Sequence, residues 1–167
     1  GFSLLQSDLN QITANVLRVG TTAGAGNLQI SGGAAITNGP AWGSLILRSG
    51  TGGISQTTGS DLGIGGGTPQ SIANLGVETT GSVNLTNAGN NATTFAAKLT
   101  GVGTLQYTDS NTLIIDQAGT GVSNVPIAGV TVSGITTSNT NATINTGDAM
   151  TISSNVAVGN GVLTLNV

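Results

Sequence analysis

The stretch Ser82-Val83-Asn84-Leu85-Thr86, leading through Asn90-Asn91 to Gly103-Thr104-Leu105-Gln106-Tyr107, carries the pattern on which the fold turns. Apolar and polar residues alternate in each segment, the period-2 signature of a brief strand with one buried face. Working outward, Leu17-Arg18-Val19, Leu28-Gln29-Ile30, Leu45-Ile46-Leu47, Val130-Thr131-Val132, Val156-Ala157-Val158 and Leu163-Thr164-Leu165 supply further short apolar triplets. Gly-Asn, Asn-Gly, Gly-Gly and Ser-Gly pairs separate them, where the backbone must turn with positive φ. Strands this short make no stable hairpin sheet alone. Stacked one above another, each finds partners on both sides at about 4.8 Å.

Internal similarity supports stacking. Gly53-Ile54-Ser55-Gln56-Thr57-Thr58-Gly59 echoes Gly33-Ala34-Ala35-Ile36-Thr37-Asn38-Gly39. Ser82 to Thr86 with Asn90-Asn91 is echoed by Ala142-Thr143-Ile144-Asn145 with Gly147-Asp148-Ala149-Met150-Thr151-Ile152, each a strand, a polar corner and a second strand. Steps from Val83 to Leu105, to Val130 and to Met150 indicate a repeat of roughly 20–30 residues. The expectation is an all-β chain, a single parallel β-solenoid over residues 1–167 with roughly six to seven irregular coils. Val, Leu, Ile and Ala should face inward, and Thr, Ser, Asn and Gln outward. The competing pattern is Leu5, Leu9, Ile12 and Val16, spaced as a helix face with Ser7-Asp8 near its start.

Composition narrows the function. The 28 glycines accompany abundant Thr, Ser and Asn, yet 37% of the residues are hydrophobic, which argues against disorder along the whole chain. Three prolines and no Gly period exclude collagen. Three cations against six acids leave no basic footprint, so a nucleic-acid partner is not expected. Cysteine is absent, which removes disulfides and thiolate ligands, and histidine is absent, which removes the usual general base and imidazole ligands. No apolar run is long enough for a membrane-spanning helix.

In Leu9 to Thr37, Gly53-Ile54-Ser55-Gln56-Thr57, Val83 to Tyr107 and Gly134 to Val167, the chain resembles the filamentous haemagglutinin-like repeats of large bacterial two-partner-secretion exoproteins. The resemblance implies a right-handed parallel β-helix, an extracellular or cell-surface location, passage through an outer-membrane transporter, and an adhesive or matrix role. Host or matrix glycans would then be partners. The chain begins without Met and closes on the uncapped, strand-like Val162-Leu163-Thr164-Leu165-Asn166-Val167, from which we expect a piece of a longer fibre or a polymerising subunit that pairs end to end with copies of itself.

The residues that could carry chemistry have plainer readings. Asp109 and Asp116 are the nearest acid pair, as a polysaccharide-cleaving β-helix would need, but both read as solvated turn acids. Asp61 and Asp148 read the same way. Gly63-Ile64-Gly65-Gly66-Gly67 lacks the Asp of a calcium-binding repeat and the Lys of a phosphate loop. Asn84-Leu85-Thr86, Asn91-Ala92-Thr93 and Asn141-Ala142-Thr143 match the glycosylation sequon as an Asn- and Thr-rich composition would, and the asparagines are expected to stack along successive corners. Trp42 reads as a packed loop residue rather than a sugar platform. No catalytic, cofactor or metal residue is expected. A structural or adhesive role is favoured over two rivals, a polysaccharide-binding or polysaccharide-degrading protein and an ice-binding one, the latter because Thr108, Thr131 and Thr164 stand too irregularly.

Overall fold

The structure is a computed structural model that describes residues 6–33, 35–37, 42–63, 71–118 and 132–167. It is all-β apart from one helical turn, with two large sheets built of parallel pairs. The helix α1 (Gln6–Leu9) buries Leu9 and ends before β1, so Ile12 and Val16 of the helical pattern lie outside it, Val16 within a strand. Leu5 lies outside the described residues. Among the described residues, no helix is long and apolar enough to cross a membrane.

The chain passes alternately between the two sheets. β1 (Ala14–Gly20), β3 (Trp42–Ser49), β5 (Ile72–Thr79) and β7 (Ala92–Leu99) lie side by side in the first. In the second are β2 (Leu28–Ile30), β4 (Ile54–Gln56), β6 (Val83–Leu85), β8 (Leu105–Asp109), β13 (Ala142–Thr146) and β16 (Leu163–Asn166). The first sheet continues on β7 with two short strands, β9 (Leu113–Ile115) and β12 (Ile135–Thr136), and then with β14 (Met150–Ile152) and β15 (Val156–Ala157). One crossing of each sheet makes a tier, and the described residues stack six tiers.

Register places like on like. In the first sheet Leu17, Leu45, Leu75, Phe95 and Ile115 form one column, and Val19, Leu47, Val77, Ala97, Ile135 and Val156 another. Leu28, Ile54, Val83, Leu105, Ala142 and Leu163 answer them from the second sheet. Inward residues of both sheets merge in one core, where Phe95 and Tyr107 stack across the tier with centroids 4.1 Å apart and rings 4° from parallel. Alternation is the cause: burial in β6 and β8 switches at every residue, so each short strand gives half its side chains to the core.

The observed steps correct two sequence readings. Leu105 is followed in its column by Ala142, 37 residues on, and Met150 pairs with Leu113 in the other sheet, so the step to Met150 mixes the two sheets. Val130 itself lies outside the described residues. The echo between Gly33–Gly39 and Gly53–Gly59 is not a stacking relation either. Ile54 stacks on Leu28, whereas Ile36 bridges to Leu62.

The tier containing β9 is interrupted. After Ile115 the chain leaves the sheet, forms β10 (Gln117–Ala118), returns as β11 (Val132–Ser133) antiparallel to it, and re-enters as β12. The Gly134 amide donates to the Asp116 carbonyl at 2.9 Å, so departure and return lie side by side. This excursion lengthens one repeat.

Candidate functional site

Two polar features deserve the name of site: the corner where the chain returns from the second sheet to the first, and the outer face of the second sheet. At the corner a buried side chain accepts a backbone amide from the same corner one turn earlier. Asn90 Oδ1 accepts from the Leu62 amide at 2.9 Å, and Asp109 Oδ2 from the Ala92 amide at 2.7 Å. Asn90 and Gln56 also exchange two side-chain amide bonds of 2.9 Å, while Asn90 Nδ2 donates to the carbonyls of Leu85 and Thr108. Each bond satisfies a group that would be costly to bury alone.

Asp109 therefore is not the solvated turn acid that its neighbours Ser110 and Asn111 suggest; it is 2% exposed. Its Oδ2 also accepts from the Tyr107 hydroxyl at 2.7 Å, and its Oδ1 from the Asn111 amide at 3.0 Å. The turn reading fails because β8 extends two residues past Tyr107, and alternation turns position 109 inward beside the phenol. Burial raises the Asp109 carboxyl above the usual range, against the lowering effect of the Ala92, Tyr107 and Asn111 donors. Tyr107 is itself raised well above its ordinary value, by burial first and then by the neighbouring Asp109 charge.

That shift has a testable sign. A carboxyl raised in the folded state binds protons more tightly there than in the unfolded chain, so its contribution to stability is greatest below the ordinary carboxylate range and falls as pH rises through the folded value. Asp109→Asn removes the titration, and it turns an Asn amide group toward the Asn111 N–H. The wild-type advantage over Asp109→Asn in urea midpoint is expected to grow between pH 7 and about 4. An advantage that shrinks on acidification would mean that the three donors outweigh burial.

The other acids are scattered. Asp116 is half-buried in the interrupted tier and accepts from the Ser154 hydroxyl at 2.6 Å, which makes it a structural acceptor rather than a plain solvated turn acid. It directly follows β9 of the first sheet, while Asp109 ends a strand of the second. Asp148 is exposed, its carbonyl accepting from the Thr146 hydroxyl, and Asp61 is half-buried at the returning corner. Among the described residues, no group of three or more carboxylates is gathered as for a metal ion. The Trp42 side chain and residues 64–70, with most of the Gly63–Gly67 run, lie outside the described residues.

The outer face of the second sheet carries regular polar columns. Gln29, Ser55, Asn84, Gln106, Thr143 and Thr164 stand in register across all six tiers, and Thr108, Asn145 and Asn166 form a second column. Asn166 Nδ2 donates to Asn145 Oδ1 at 2.7 Å and Asn145 Nδ2 to Thr108 Oγ1 at 3.1 Å, so these two asparagines bond along the stack on a strand face rather than at the corners where stacking was expected. Neither column carries a charge. Of the sequon asparagines, Asn84 accepts from Thr86 and Asn141 from the Val162 amide.

On the outer face of the first sheet, by contrast, Arg48, Glu78 and Lys98 stand in one column. Arg48 Nε donates to Glu78 Oε2 at 2.8 Å, and Lys98 Nζ lies 3.6 Å from Oε1. Sequence reading missed this triad, because partners 30 and 20 residues apart become neighbours only when the register is known. A cavity of about 720 Å³ opens at the first tier beside Leu9, Val19, Leu28, Ile30 and Leu47, where the inward columns begin. No family model, curated protein or solved structure matches this chain.

Proposed function

We propose that the chain is a parallel β-solenoid segment, right-handed as the resemblance implies, with a structural or adhesive role in an extracellular bacterial surface protein. The observation that supports this reading most is the outer face of the second sheet. Six tiers present an uncharged lattice of hydroxyls and amides, partly held in place by its own hydrogen bonds. Groups already fixed lose less conformational freedom on contact, and many weak contacts repeated along a stack add up. Tiers end to end, from an adjoining part of the same chain or another copy, would extend that surface. Export would run through an outer-membrane transporter, and glycans are the expected partners.

The test is adhesion of the purified chain to surfaces coated with neutral polysaccharide. Gln106→Lys combined with Thr143→Lys places two like charges on adjacent tiers of the lattice, and is expected to lower retention several-fold while leaving the circular dichroism spectrum unchanged. Retention that ignores both substitutions would remove the face from the proposal. The polysaccharide-degrading alternative is separated by the same experiment: release of soluble sugar, lost in Asp116→Asn, would replace adhesion by catalysis.

A further inference from the structure

The corner between β15 and β16 holds an asparagine unlike its neighbours. Val158-Gly159-Asn160-Gly161 form a tight turn, closed by the Gly161 amide donating to the Val158 carbonyl at 3.0 Å, with Gly159 at a φ of 57°. Asn160 is exposed, and its side-chain amide enters no hydrogen bond among the described residues; its backbone N–H donates to Asn139 Oδ1 at 3.0 Å. By contrast, the side-chain oxygens of Asn139 and Asn141 are occupied by the amides of Asn160 and Val162, Asn145 is bonded to Asn166 and Thr108, and Asn90 is buried. Each of these is also followed by a residue with a side chain, whereas Asn160 precedes glycine. Asn38-Gly39, the other Asn-Gly pair, lies outside the described residues.

We infer that Asn160 is a self-modification site, at which the chain converts its own amide to a carboxylate with water as co-reactant and loosens the strand that follows. Glycine has no side chain to crowd the attacking nitrogen and has the widest range of backbone angles. The Gly161 nitrogen, its proton lost to solvent, bonds to Asn160 Cγ; the bond from Cγ to the side-chain nitrogen breaks, ammonia leaves, and a succinimide ring closes. Water then opens the ring at either carbonyl. Opening at Cγ gives aspartate, and opening at the backbone carbonyl gives isoaspartate, in which the main chain runs through the side-chain carbon. The hydrogen bond that must be given up is the one from Gly161 to Val158, because its nitrogen is the nucleophile; the amides of Asn160 and Val162 take no part in the ring. Isoaspartate has no room at this corner. A Cβ on Gly161 would collide with the Thr140 carbonyl, and one on Gly159 with Asn139 Oδ1, so an added backbone carbon displaces the turn. β16 follows at once and, among the described residues, pairs with β13 alone, which makes it the strand that yields.

The experiment ages the folded full chain in mildly alkaline buffer and reads each asparagine by fragment mass spectrometry, with the urea-unfolded chain alongside. In the folded chain, Asn160 should show the mass gain of an amide turned acid at least about tenfold faster than Asn139, Asn141 or Asn145, with isoaspartate exceeding aspartate. Asn160→Gln should abolish the gain at that position and hold the urea midpoint constant on ageing. Freshly prepared Asn160→Asp carries the charge without the added backbone carbon, so its midpoint should stay near the parent's while that of the aged parent falls. Conversion of Asn160 in the unfolded chain alone, conversion in the folded chain no faster than at Asn139, an aged parent as stable as Asn160→Asp, or an aged Asn160→Gln chain that loses as much as the parent would each overturn the inference.

Discussion

Phe95→Ala is expected to lower the unfolding free energy by about 3–5 kcal/mol, the cost of emptying a fully buried aromatic site. Phe95 occupies the middle of the column Leu45, Leu75, Phe95 and Ile115, with no exposed surface, and its ring lies flat on Tyr107 of the facing sheet. The stack adds to the loss, because a stacked aromatic partner contributes beyond area alone. Relaxation is limited: tiers above and below are tied by parallel ladders on both sheets and cannot collapse into the gap independently. Phe95→Leu, which keeps most of the volume, should cost under half as much. Urea denaturation followed by circular dichroism measures both, and a Phe95→Ala loss below about 1 kcal/mol would contradict a tightly packed tier.

Gly81→Ala should cost about 2–3 kcal/mol, although it adds one methyl group on a corner. That methyl carbon would stand 2.6 Å from the Gly53 nitrogen and the Thr51 carbonyl oxygen, and 2.8 Å from Gly53 Cα, all backbone of the preceding tier. Nothing there can swing aside, because the Gly81 amide already donates to the Gly50 carbonyl at 3.0 Å, the carbonyl that also receives the buried Thr79 hydroxyl. Gly26→Ala is the control, since a Cβ there meets nothing within 4 Å. It should change stability by less than about 1 kcal/mol, and in the stabilising direction if it restricts the unfolded chain. Equal losses at both positions would mean that the corners are not stacked as closely as described.

The same contrast explains the glycine content. Gly103 and Gly147, like Gly81, would drive a Cβ into the backbone of a neighbouring tier. Glycine here is selected by the distance between layers as much as by turn conformation. Sequence reading found the turns and credited positive φ, which holds at Gly53 with φ of 80° but supplies only part of the reason.

Strand content and the inward identity of most apolar residues were legible in the chain, because a period of two is a local property. Val83, Leu85, Leu105, Tyr107, Ala142 and Ile144 all face the core as their alternation predicts. Ile46 and Ala96 break the rule: they lie on the outer side, and local pattern cannot show that a distant pair, Ala118 and Val132, covers them. Asp109 is the matching polar case. Its neighbours are those of a solvated turn, and its burial follows from the corner one turn earlier, whose Ala92 amide needs an acceptor.

The sequence by itself determined that the chain forms short amphipathic strands broken by Gly and Asn, since alternation and turn chemistry act within a few residues. Only the tertiary structure decided which strands meet. Register across gaps of 20 to 38 residues depends on how much chain each corner consumes, and that joins Arg48 to Glu78 and Lys98, sets Phe95 on Tyr107, and lays Ala118 and Val132 over Ile46 and Ala96. Parallel strands impose this division, because their partners are never adjacent in sequence and the pairing is fixed by the summed packing of every tier at once.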